Sequence, residues 1–185
     1  MEKSIEQQQG SRIKIVVFGP ESTGKTTLAQ QLATHYKATY IPEYARIYAE
    51  EKAQNGEALT SKDVIPIAKG QLRLECQAAK SNLLICDTDI LQTDTYARIY
   101  YPKFKSEILK KYVAKSTANF YFLTYIDTPW EADGIRDLPH KRAASFSAFQ
   151  QTLQTYNQPY LVLKGDLETR FQKAVETIDK LLENH

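Results

Sequence analysis

Gly19-Pro20-Glu21-Ser22-Thr23-Gly24-Lys25-Thr26 has the spacing G-x-x-x-x-G-K-[ST], and a second threonine, Thr27, follows it. A loop bounded by glycines can curl until successive backbone N–H groups point at one anion, and the positive end of a following helix adds to the attraction. In such a loop Lys25 reaches the β- and γ-phosphates of a nucleoside triphosphate and the Thr26 hydroxyl ligates Mg²⁺. Gly19, Glu21, Ser22, Thr23, Gly24 and Thr27 complete the cradle. The motif carries meaning only between a strand and a helix. Here Ile13-Lys14-Ile15-Val16-Val17-Phe18 precedes it, a β-branched apolar run, and Thr27–Ala33 follows with apolar residues at helical spacing. The expected ligands are ATP and Mg²⁺.

Further charged residues fall just after strand-like runs. Glu43 ends the second run, with Tyr44 beside it and Arg46 three residues on, one helical turn away. One reading makes Glu43 the general base for an acceptor hydroxyl, with Arg46 near the transferring phosphoryl. The other makes them a dipole-favoured helix start and its surface ion pair. Asp87-Thr88-Asp89 ends the third run. An acidic residue there in a phosphate-loop protein is the expected partner of Mg²⁺, which assigns Asp87 to metal together with Thr26. Asp89 is a second cleft carboxylate, for a proton or a sugar hydroxyl, or the N-cap of the next helix. Residues 128–142 are rich in turn formers and charge, long enough for a lid whose Arg136 and Arg142 could neutralise phosphoryl charge. Trp130 sits on that segment as a ring-stacking candidate or an anchor. Asp166 and Arg170, after the fifth run, read as an N-cap and a helix ion pair.

The elements that must position these residues alternate. Strands are expected at Ile13–Phe18, Thr39–Ile41, Leu83–Cys86, Phe120–Thr124 and Tyr160–Leu163. Helices are expected at Lys25–Tyr36, Tyr44–Gln54, Ser61–Ser81, Ile90–Tyr100, Lys105–Lys115, Ala143–Tyr156 and Leu167–Glu183. Short apolar strands alternating with helices predict an α/β fold of three layers, a five-stranded parallel sheet covered on both faces. Ligands then bind beyond the carboxyl ends of the strands. The chain of 185 residues reads as a polar tail over 1–11 and one domain over 12–185. With 24 basic against 22 acidic residues, net charge is +2, so no general attraction to nucleic acid or membrane is expected. No run is long enough to span a bilayer, and the polar start is not a secretory signal. Cys76 and Cys86 read as small core residues of a cytoplasmic protein, with a regulatory thiol pair as the other reading.

Together, GPESTGKTT at Gly19–Thr27, Glu43-Tyr44-Ala45-Arg46, Asp87-Thr88-Asp89, and Thr128-Pro129-Trp130 with Ala132-Asp133-Gly134 and Arg136 resemble the ribosylnicotinamide kinase domain of NadR-type proteins. The resemblance spans about Arg12 to Leu182. It implies an AAA-type P-loop domain with nucleoside-kinase-like architecture that phosphorylates the 5′-hydroxyl of nicotinamide riboside from ATP, giving nicotinamide mononucleotide in NAD salvage. On that resemblance Lys25 and Thr26 hold ATP and Mg²⁺, Asp87 or Asp89 faces metal and ribose, and Arg136 is a lid arginine. The family often places Trp before the Glu-Tyr pair. Here that position is Pro42, which removes one cation–π face and leaves Tyr40, Tyr44 or Trp130 to replace it. Full NadR-type proteins add an adenylyltransferase domain and sometimes a repressor domain, so neither dinucleotide synthesis nor DNA binding is expected of this chain. The expected function is a small-molecule kinase with a nucleoside-like acceptor. The rivals are a kinase of another small molecule and a regulatory P-loop ATPase. Between Glu43 and Asp89 the base stays open.

Overall fold

The computed structural model describes residues 12–78, 80–116, 118–129 and 141–183. Five strands form one sheet: β1 (Ile13–Phe18), β2 (Thr39–Ile41), β3 (Leu83–Asp87), β4 (Phe120–Thr124) and β5 (Tyr160–Leu163), in the order β2-β3-β1-β4-β5. All pairings are parallel, with Val17 opposite Asp87 and Phe122. The chain leaves β1 for one side of the sheet and later returns to pair on the other. This reversal opens a crevice at the carboxyl ends of β1 and β3.

Strand β1 is buried along its whole length, and its period-two alternation feeds two cores. Ile13, Ile15 and Val17 pack with α1 (Lys25–Tyr36) and α7 (Leu167–Glu183). Val16 and Phe18 pack on the opposite face, against α3 (Val64–Gln77), α4 (Ile90–Tyr100), α5 (Glu107–Ala114) and α6 (Arg142–Thr155). Helix α2 (Tyr44–Gln54) lies on α3. No helix among the described residues is long and apolar enough to cross a membrane.

The expected elements form, with local differences. Strand β3 runs one residue further, so Asp87 is the last rung of the ladder rather than the first residue beyond it. The helix expected over Ser61–Ser81 is a 3₁₀ turn at Ser61–Asp63 followed by α3. Its start is fixed by a reciprocal cap: the Thr60 N–H donates to Asp63 Oδ2 at 2.7 Å, and Thr60 Oγ1 accepts from the Lys62 N–H at 3.3 Å. Pro66 then falls in the first turn of α3, where its missing N–H interrupts nothing. Helix α5 is shorter than expected because Ser106 caps it, accepting from the Leu109 N–H at 3.2 Å.

Candidate active site

The phosphate loop connects β1 to α1 in a conformation its sequence alone permits. Gly19 has φ 139°, and a Cβ there would lie 2.6 Å from Thr124 Oγ1 on β4. Gly24 turns the chain into α1 at φ 78°, and Ser22 is also left-handed at φ 55°. Thr23 Oγ1 reaches Pro20 O at 2.8 Å and shares a hydrogen bond with Thr124 Oγ1 at 2.7 Å. Lys25 is folded over the loop, donating to Pro20 O at 2.8 Å. Thr26 Oγ1 donates to Asp87 Oδ2 at 2.5 Å, while Asp87 Oδ1 is buried with no hydrogen-bond partner. The two residues assigned to metal on sequence thus stand together, with a vacant carboxylate lone pair beside the loop. Tyr40 donates to the same carboxylate at 3.4 Å; burial first, and then Asp87, push its phenol up.

The loop forms one end of a cleft of about 870 Å³. The other end runs between α2, α3 and α4, where Ala49, Val64, Ile67 and Ala97 make an apolar wall and Tyr100 and Tyr101 an aromatic one, with Tyr96 reaching toward the backbone of Glu21 in the loop. Glu43 stands between the two ends. Its Oε1 accepts from Gln92 Nε2 at 2.6 Å, and burial raises its carboxyl pKa, with Asp87 adding to the rise and Lys25 opposing it. Gln92 Oε1 and Gln71 Nε2 are buried without partners, and both residues line the cleft. One offers an acceptor, the other a donor, so a polar ligand can satisfy both.

Three expected residues fall differently. The Asp89 carboxylate does not line the cleft. It caps α4 through the Leu91 N–H at 3.0 Å and accepts from Tyr121 Oη at 2.7 Å and Lys14 Nζ at 3.3 Å, inside the protein. The N-cap reading describes it, and of the two base candidates it is Glu43 that lines the cleft. Tyr44 packs its ring against Gly70 of α3, where a Cβ would lie 1.9 Å from Tyr44 Cε1, so it joins two helices instead of facing a ligand. Arg46 lines the cleft and pairs with Glu50 one turn on, Nε to Oε1 at 3.0 Å, while its charge also works to lower the Glu43 pKa. Trp130 and Arg136 lie outside the described residues.

A sequence family described as "AAA domain" matches residues 14–170. The chain belongs to the AAA domain family. This AAA domain is 27% identical over 174 residues to the trifunctional NAD biosynthesis/regulator protein NadR of Salmonella typhimurium, which bears out the resemblance read from its motifs. The match covers 91% of this chain and 42% of that protein, so the chain spans less than half the length of that curated relative. It superposes on a crystal structure of NadR in complex with NR with a TM-score of 0.78 at 23% identity, covering 92% of this chain and 50% of that one. It superposes on deoxyadenosine kinase from M. mycoides with bound dATP at 0.60 and 12%, covering 91% and 100%. The fold is therefore that of the P-loop nucleoside and nucleotide kinases.

Sequence reasoning about this AAA domain missed several cleft residues. Tyr96 and Tyr100 are four apart on α4, a same-face spacing visible in the sequence, but only the position of α4 turns that face to the cleft. Gln71 and Gln92 give no signal, since an amide in a helix is usually solvated. Arg170 is expected from sequence as a helix ion pair. It is instead 2% exposed and engages Gly165 O, Thr23 O, Tyr125 O and the Asp127 carboxylate.

Proposed function

We propose that this chain is an ATP-dependent kinase that phosphorylates the 5′-hydroxyl of nicotinamide riboside or a closely related nucleoside. The observation that carries the reading is one cleft that holds a phosphate loop at one end and, beyond Glu43 held by Gln92, an apolar and aromatic wall at the other. Similarity to NadR supports the acceptor, and the kinase fold supports the reaction type.

In this reading the loop amides and Lys25 hold the triphosphate. The acceptor oxygen attacks the γ-phosphorus in line, the bond to the β–γ bridging oxygen breaks, and ADP leaves. Glu43 orients the hydroxyl and receives its proton late, because a loose transition state asks little of the base. Burial raises its pKa, which makes the carboxylate a stronger proton acceptor than an exposed one. Thr26 Oγ1 and Asp87, with its unpartnered Oδ1, fit Mg²⁺, which when bound supplies positive charge to the β- and γ-oxygens. Arg136, with Trp130 on the same segment, is assigned to the lid that closes over the phosphates. Gln71 and Gln92 present a donor and an acceptor to the polar edge of the acceptor.

Pro42 favours a second reading, in which the acceptor is a nucleoside whose base is neutral. The aromatic wall of the cleft comes from α4 rather than from a Trp before Glu43, and tyrosines stack neutral rings as readily as cations. The deciding experiment measures ADP release with Mg²⁺ and ATP across a panel of nucleosides headed by nicotinamide riboside. Strong stimulation by nicotinamide riboside, abolished in Lys25→Ala, is the expected result. Stimulation by another nucleoside alone selects the second reading. Slow hydrolysis indifferent to every acceptor overturns both in favour of a regulatory ATPase.

A further inference from the structure

The phosphate loop is gripped from outside by its carbonyl groups. Thr23 O accepts from Arg170 Nη1 at 2.6 Å. The preceding carbonyl, Ser22 O, accepts from Thr128 Oγ1 at 2.8 Å and Arg142 Nη2 at 3.2 Å. A trans peptide is planar, so a carbonyl and the N–H of the next residue point in opposite directions across one plane. Holding Ser22 O therefore sets the direction of the Thr23 N–H, and holding Thr23 O sets that of the Gly24 N–H. Both N–H groups belong to the stretch whose amides gather an anion in loops of this spacing.

Arg170 is built for such a hold. Its Nε donates to Gly165 O at 2.9 Å and its Nη2 to Tyr125 O at 3.0 Å, and the same Nη2 pairs with Asp127. Asp127 Oδ2 in turn accepts from the Gly165 N–H at 2.7 Å. The guanidinium joins the phosphate loop, the segment after β4 and the turn before α7, and it is buried. Arg142 performs a similar task from the first residue of α6, its Nη1 donating to Thr128 O at 2.8 Å. Two arginines and a threonine thus fix adjacent peptide planes.

We propose that Arg170, with Arg142 and Thr128 as a second arm, locks the peptide planes of the phosphate loop and presets its anion-binding amides before nucleotide arrives. The proposal rests on the nucleotide-binding reading of the cleft and is independent of the acceptor. These are positioning residues. Without them the ligand must order the loop itself, and that ordering is subtracted from its affinity.

The test is calorimetric titration of the full chain with Mg²⁺-ATP and, separately, with Mg²⁺-tripolyphosphate, which senses the loop without a purine. Wild type binds both, and Lys25→Ala weakens both; if Lys25→Ala changes neither, the nucleotide-site reading itself fails and the lock with it. Arg170→Lys is expected to weaken both ligands in parallel by about tenfold, the loss of a charge-assisted hydrogen bond. Thr128→Val is expected to act in the same direction by a smaller factor. Parallel loss supports the lock. Loss of ATP affinity alone would mean that Arg170 only shapes the purine side, and overturns it. A lowered melting temperature with unchanged affinities also overturns it, and if Arg170→Lys does not fold, an unchanged Thr128→Val does so on its own.

Discussion

Glu43 and Asp89 are both carboxylates at the carboxyl edge of the sheet, yet their surroundings separate them. Glu43 meets Gln92 and the cleft; Asp89 meets Lys14, Tyr121 and the first turn of α4. Glu43→Gln is expected to lower turnover about a hundredfold, the lower range for loss of a general base, while Mg²⁺-ATP affinity is kept. Because burial raises the Glu43 pKa, wild-type kcat/KM should fall as pH drops through that raised value, and the fall should vanish in Glu43→Gln. Asp89→Asn should leave the pH profile in place and lower the melting temperature instead. Near-normal turnover of Glu43→Gln in the acceptor assay would remove it as the base. The phosphate loop was legible because its chemistry is local, eight consecutive residues between a strand and a helix. Of Asp89 only the N-cap role was legible, because its side chain is also claimed by Lys14, 75 residues earlier in the chain.

Elements were legible wherever one period dominated. The five strands and the helices after them follow from β-branched runs and from apolar spacing. What spacing could not show is which face of α2 meets which face of α3, and that contact decides the fate of Tyr44. Its ring occupies the place where a side chain at position 70 would begin, so Gly70 is needed for closeness rather than for backbone freedom. Gly70→Ala gains up to about 1 kcal/mol of helix propensity but sets a methyl group against the ring. Such overpacking typically costs about 1–3 kcal/mol. We expect a net loss of stability in urea melts, together with lower activity, because α2 also carries Arg46 and begins just after Glu43. The double variant Gly70→Ala with Tyr44→Ala should recover part of the loss relative to the sum of the single variants. Strict additivity would show that the ring is free to move aside.

Across the whole molecule the near balance of charge hides one internal imbalance. Lys14, the second residue of β1, is 3% exposed, and its Nζ meets Glu75 of α3 at 2.7 Å and Asp89 at 3.3 Å. One cation thus faces two buried carboxylates, joining the central strand to the two helices that wall the acceptor end of the cleft. The partners of Lys14 lie 61 and 75 residues away, so no local rule could supply them. Burial raises the Glu75 pKa, with Asp89 adding to the rise and Lys14 opposing it, and Glu75 Oε1 has no hydrogen-bond partner. A carboxyl whose pKa is higher folded than unfolded contributes most below its unfolded value and loses that contribution as pH rises through the folded one. Glu75→Gln keeps the shape and removes the titration, leaving Lys14 paired with Asp89. Relative to wild type it should therefore be more stable at pH 8 than at pH 5, as read from thermal melts at both. If the difference between the two proteins is the same at both pH values, folding does not shift the Glu75 pKa. If wild type gains on the variant as pH rises, the ion pair with Lys14 outweighs burial and the cluster stabilises the sheet through charge.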